Sequence, residues 1–165
     1  MTLPMQFRQL IDRTLALDLE TTRSGGKIRR IGAVFRGQTF DWAGKGALYR
    51  ALARLQDFGR GADYVLGHNL FNHDWPLLKG VAPELGLLQL PVIDTLFLSP
   101  LAFPQNPYHR LVKDYKLVRS CLSDPVEDVR LALTVFEDQW AAFERQGRDH
   151  PDQPAFYRFC FQHSR

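Results

Sequence analysis

LALDLETT, residues 15–22, puts two carboxylates into a stretch that otherwise reads as a buried strand. Leu15, Ala16 and Leu17 lead into Asp18, Leu19 and Glu20. On a strand, residues two apart point to the same face, so Asp18 and Glu20 project side by side. Burying both without a cation costs several kcal/mol in desolvation and repulsion, and a divalent metal would relieve that cost. The plainer alternative ends the strand early, leaving Glu20 in water and Asp18 half-buried.

Working outward, residues 14–18 read as one strand and KIRRIGAVFRG, 27–37, alternates well enough to be a second. QTFDW follows as a third through a turn at Arg36 and Gly37. ALYRALARLQDF, 47–58, has helical apolar spacing, with Gly59 and Gly61 as stop signals. YVLGH, 64–68, is a short buried strand, a helix is expected from about Asn72 through Leu78, and PVIDTL, 91–96, reads as another buried strand leading into a turn or helix. Asp124, Pro125 and Glu127 make a helix start, with an N-cap carboxylate, proline in the first position and a glutamate at the third. Val129, Ala132, Leu133, Phe136, Trp140 and Phe143 give that helix an inward face up to about Gly147. The order implies an α/β domain with a mixed central sheet over residues 1–147. HPDQP and the aromatic stretch FYRFCF, within 148–165, read as a linker-like tail that packs back or leads to a further domain.

The 165 residues are 45% hydrophobic and 24% charged, ordinary values for one domain with its own core. Cys121 and Cys160 lie far apart with no CxxC pair, which argues for two reduced thiols. No apolar run reaches membrane-span length and MTLPMQFRQL lacks a signal-peptide centre, so a cytoplasmic protein with no membrane partner is expected. The net charge of +3 says little by itself. Its distribution says more: Arg23, Lys27, Arg29, Arg30 and Arg36 follow the paired carboxylates, and Arg110, Lys113, Lys116 and Arg119 form a second basic stretch. The absence of a Gly-rich phosphate loop or nucleophile motif weighs against a small-molecule α/β enzyme.

Two further constellations carry carboxylates. GHNLFNHDWPLL, 67–78, follows a strand, where open α/β sheets place their ligands, and supplies Asn69 and Asp74. A carboxylate in a first helical turn is also favoured by the helix dipole alone. SDPVEDVRLALTVF, 123–136, sets Asp128 at the edge of an apolar face, looking toward the sheet. Asp124 and Glu127 are better explained there as capping groups.

Together the three segments resemble the DnaQ-like, or DEDD, exonuclease superfamily. Its DxE motif is matched by Asp18 and Glu20, its HN followed by an aspartate by Asn69 and Asp74, and its late-helix aspartate by Asp128. The resemblance covers residues 12–145, and PVIDTLFLSPLAFPQNPYHRLVKDYKL looks like the corresponding region of exonuclease domains attached to RecQ-type helicases. It implies a ribonuclease-H-like fold and 3′-5′ removal of nucleotides from single-stranded or 3′-ended nucleic acid, DNA favoured over RNA. Asp18, Glu20, Asp74 and Asp128 would hold two divalent ions, Mg2+ or Mn2+, roughly 4 Å apart. A covalently linked helicase domain is the implied partner.

The family's general base is missing from its usual places. The histidine branch puts His five positions before the last aspartate and the tyrosine branch puts Tyr four before, where this chain has Ser123 and Asp124. His109 is the leading substitute, with His73 and Asp124 behind it; each can equally be structural, His73 by facing away from Asp74. A base contributes about 10² to 10⁴ in rate, so an impaired module that binds nucleic acid or tethers a helicase is the alternative reading. Thr21 and Thr22 would lie beside the terminal nucleotide, with His68, Asn69 and Phe71 as further substrate contacts. Trp75, Phe97 and Tyr108 could offer stacking faces, although core packing explains Trp75 and Phe97 better, as it does Trp42 and Trp140.

Overall fold

The computed structural model describes residues 4–22, 26–106 and 124–163, with side chains described as far as Cys160. Strands β1 (Thr14–Thr21), β2 (Ile28–Phe35) and β3 (Gln38–Trp42) form an antiparallel meander. Strands β4 (Tyr64–Gly67) and β5 (Val92–Asp94) continue the sheet parallel to β1, giving the order β3-β2-β1-β4-β5. The α/β class and the mixed sheet are thus as expected. The β2–β3 turn is made by Arg36 and Gly37, with φ of 49° and 74°, the two left-handed residues of a tight hairpin whose twist matches the strands.

Alternation along β1 divides the molecule into two layers. Leu15, Leu17 and Leu19 look one way, with Ile31, Ala33 and Phe35 of β2, onto helix α2 (Leu48–Phe58), helix α3 (Asp74–Val81) and a 3-10 turn at Gly86–Gln89. Ala16 looks the other way, onto helix α1 (Met5–Ile11) and helix α5 (Pro125–Asp149) through Phe7, Val129, Ala132 and Phe136. Helix α4 (Thr95–Ala102) joins this second layer beside α5, and helix α6 (Asp152–His163) packs on α5. Asp18 and Glu20 share the face of Ala16 and therefore look toward α5.

Several boundaries differ from the sequence reading. Strand β1 runs to Thr21, so Glu20 lies within it and is half-buried. Helix α3 starts at Asp74 rather than near Asn72, because Asn69 takes a left-handed conformation (φ 66°) and the chain turns through 70–73 first. The strand expected at 91–96 is only three residues long, since Asp94 accepts from the Leu96 amide and starts α4. Asp124 caps α5 through the Val126 amide as expected, whereas Glu127 pairs with Arg130 along the helix instead of closing a capping box. Helix α1 was not anticipated; its anchor is Phe7, 3% exposed against Phe136 and Trp140. Trp42 and Trp75 are core as expected, but Phe97 is 52% exposed. Among the described residues no helix is long and apolar enough to cross a membrane.

Candidate active site

The last parallel pair between β1 and β4 is Ala16 with Leu66, and beyond it the strands part. Asp18 stands just past that divergence, at the carboxyl end of the parallel strands, where a cleft opens in sheets of this kind. Across the antiparallel side Asp18 lies opposite Gly32 and Glu20 opposite Arg30; between Glu20 and Thr21 the register slips by one residue, a bulge that adds twist beside the carboxylates.

Asp74 comes to the same place from α3. Asp74 is 1% exposed, and its Oδ1 accepts from the Leu19 amide at 2.9 Å, between the two acids of β1. His73 Nδ1 lies 3.5 Å from that oxygen, so His73 leans on Asp74 rather than facing away. The fourth acid, Asp128, is half-buried in the first turn of α5, its amide bonded to the Asp124 carbonyl at 3.0 Å.

The charges of these groups act on one another. Burial first, then the charges of Asp74, Asp128 and Glu20, push Asp18 from 3.8 up to about 8, against a weaker pull from His73. Burial also raises Asp74, while the His73 hydrogen bond and the Leu19 amide hold it back. His73 is raised in turn, chiefly by its hydrogen bond to Asp74, which favours its protonated form.

The other expected contacts are distributed around this centre. Thr21 and Thr22 are half-buried at the end of β1, with the Thr22 amide on the Lys27 carbonyl. His68 and Asn69 occupy the loop after β4. His68 Nδ1 is 2.9 Å from Thr95 Oγ1, whose own proton goes to the Gly67 carbonyl, so the ring nitrogen donates. Burial lowers the His68 pKa. Asn69 Oδ1 accepts from Asn72, and Phe71 is 47% exposed. His109, Tyr108 and Ser123, with the second basic stretch, lie outside the described residues.

The role of Asp94 escaped the sequence reading, as did the pairing of Phe71 with Phe97, two rings it weighed only singly as substrate contacts. Asp94, 3% exposed, accepts from the amides of Asn69 (2.8 Å), Phe71 (3.0 Å) and Leu96 (3.0 Å), so one carboxylate pins the loop that delivers Asp74. Its signal was an aspartate ending an apolar run just before a helical stretch, which is a capping pattern. Phe97 stands edge-on to Phe71 at 5.5 Å between ring centroids, forming an exposed aromatic pair on the same loop and α4. No periodicity distinguishes such a pair from core.

Whether this donor set suits a divalent cation can be judged from its oxygens. Among the described residues, no three His, Cys, Asp or Glu side chains form a ready-made ion cage. Yet Glu20 Oε1 is buried without a hydrogen-bond partner, beside an Asp18 whose pKa is raised to about 8 by burial first and then by its acidic neighbours. Hard oxygen donors in excess of nearby positive charge are what Mg2+ and Mn2+ bind, and the residues fit. No protein-family model matches the chain, and no curated protein matches it in sequence.

Proposed function

We propose that the chain is a metal-dependent 3′-5′ exonuclease domain that hydrolyses phosphodiester bonds at a nucleic-acid 3′ end, with DNA favoured over RNA. The observation that carries this reading is the convergence of Asp18, Glu20, Asp74 and Asp128 on one partly buried space, where burial first and then the neighbouring charges raise Asp18 to about 8. Carboxylates massed at the end of a central strand are unstable alone and stable around cations. The sheet order β3-β2-β1-β4-β5 agrees with the ribonuclease-H-like arrangement that the resemblance to DnaQ-like exonucleases implies.

In this reading Asp18, Glu20, Asp74 and Asp128 would hold two divalent ions, which would polarise the phosphate and ease both attack by water and departure of the 3′ oxygen. The chain's own groups do the rest. The Leu19 amide fixes Asp74, and the amides gathered by Asp94 fix the loop in front of it. Phe71 and Phe97 offer ring surface to bases of a single strand, gripping without reading sequence. His73, drawn toward its protonated form by Asp74, suits a phosphate oxygen better than it suits accepting a proton from water.

Release of nucleotides from a 3′-end-labelled single-stranded DNA tests the proposal. Wild type is expected to act with Mg2+ or Mn2+ and Asp18→Ala to lose at least 10²-fold, on the order of one essential group. Wild type inert with both ions, or cleavage untouched by Asp18→Ala, rejects it.

One observation favours a second reading, a nucleic-acid-binding or helicase-tethering module with impaired catalysis. Asp124, which stands where the tyrosine branch has its base, is committed to capping Val126 and pairs with Arg30 at 3.5 Å. Salt-sensitive DNA binding by a protein that neither cleaves nor binds Mn2+ would favour this module.

A further inference from the structure

We infer that Gly32 and Arg30, neighbours of the acids on β2, are positioning residues that set the distance from Asp128 to Asp18; the inference rests on the exonuclease reading of that site. Gly32 lies directly opposite Asp18, so a side chain there would share the face on which Asp18 meets α5. A Cβ at Gly32 would stand 2.5 Å from the Pro125 carbonyl carbon, 2.6 Å from the Val126 nitrogen and 2.8 Å from Pro125 Cβ. All three are far inside van der Waals contact, and two are backbone atoms that no rotamer change can move. Gly32 has no left-handed backbone, so glycine is required there for space alone.

Arg30, two residues earlier on the same face, is the complementary half. Its guanidinium reaches Asp124 at 3.5 Å and Asp41 of β3 at 3.4 Å, tying the cap of α5 to the sheet. Missing bulk at Gly32 lets the first turn of α5 touch β2, and Arg30 holds the end of the helix in that seat. Asp128, one turn further on and bonded through its amide to the Asp124 carbonyl, is thereby brought within electrostatic reach of Asp18. Lifting the helix by one methyl group displaces this acid before any other, since Asp18 and Glu20 belong to the sheet and Asp74 to α3.

Mn2+ titration of Gly32→Ala, Asp128→Asn and the double variant tests this, alongside nucleotide release. Folded Gly32→Ala is expected to bind Mn2+ about tenfold more weakly or worse, as supporting residues of metal sites do. In the Asp128→Asn background it should add less than about twofold, because both changes act through one carboxylate. Val129→Ala, which loosens α5 only at its apolar face, should leave Mn2+ affinity within about twofold of wild type despite a lower Tm. If Gly32→Ala does not fold, Arg30→Met takes its place with the same expected pattern, and Arg30→Lys should restore part of the loss. Unchanged Mn2+ affinity in the folded variant, full additivity with Asp128→Asn, or an equal loss in Val129→Ala overturns the inference. Wild type that binds Mn2+ without releasing nucleotides rejects the exonuclease reading alone, and wild type that binds no Mn2+ rejects both.

Discussion

At Asp94 three backbone amides converge on one buried carboxylate, and the energetics of that arrangement are one-sided. Each amide made there is worth about 1.5–3 kcal/mol because the acceptor is charged, and each left bare inside the protein costs a similar amount. Asp94→Ala should therefore lower stability by roughly 3 kcal/mol or more, read from urea unfolding, and cut nucleotide release at least tenfold by loosening the loop before Asp74. Asp18 makes a prediction of opposite character. Its folded pKa, about 8, lies above its ordinary 3.8, so between these values the folded state holds a proton that the unfolded chain has lost. Stability then falls as pH rises from 4 toward 8, and in EDTA the urea midpoint should be higher at pH 5 than at pH 8. Asp18→Asn should flatten that slope.

Among the elements, the β2–β3 hairpin and α5 were legible because their determinants are local. Arg36 and Gly37 carry the turn in their own dihedral angles, and Asp124, Pro125 and the apolar periodicity of α5 need nothing from elsewhere. The start of α3 was not legible, since it is delayed by a loop whose shape is dictated by Asp94, 20 residues downstream of Asp74 by number. Helix α1, seven residues long and held mainly by Phe7, is too short to announce itself by period. Helices α4 and α5 are joined by two glutamines that no pattern marked. Gln139 Nε2 bonds the Thr95 carbonyl at 2.7 Å and Ser99 Oγ at 2.8 Å, and Gln146 Nε2 bonds the Leu101 and Ala102 carbonyls at the open end of α4. Gln139 Oε1 is buried without a partner, an unfavourable counterweight to those bonds. Gln139→Met, which keeps the volume and removes that atom, should change stability by less than about 1.5 kcal/mol. Gln139→Ala should cost roughly 2–4 kcal/mol through the cavity it leaves. Chemical denaturation of both variants checks the contrast.

For the molecule as a whole, the four acids lie between its halves. Two come from the central strand, one from the layer of α2 and α3, and one from α5 in the opposite layer. A cation that binds all of them braces one layer against the other and is linked to folding. At pH 8, Mn2+ at about a hundred times its dissociation constant should stabilise the protein by about 2.7 kcal/mol, several degrees in Tm, and Asp128→Asn should forfeit much of that gain. This convergence explains why the motif acids could be picked out from the chain while the parts that seat them could not. An acid in an apolar run is conspicuous by its cost, but Gly32 is conspicuous only once Pro125 stands in front of it.

The borders of the sheet have a consequence of their own. Among the described residues, β5 on one side is a three-residue strand that follows Pro91 and turns at once into α4, and on the other β3 exposes Gln38, Thr39 and Asp41. A second chain seeking to extend the sheet finds a ladder too short to zip at one border and a charged, hydrophilic rim at the other. Intermolecular strand stacking is disfavoured at both rims, so the folded domain resists amyloid-like growth even though its central strands carry a continuous apolar face in Leu15, Leu17, Leu19, Ile31, Ala33 and Phe35.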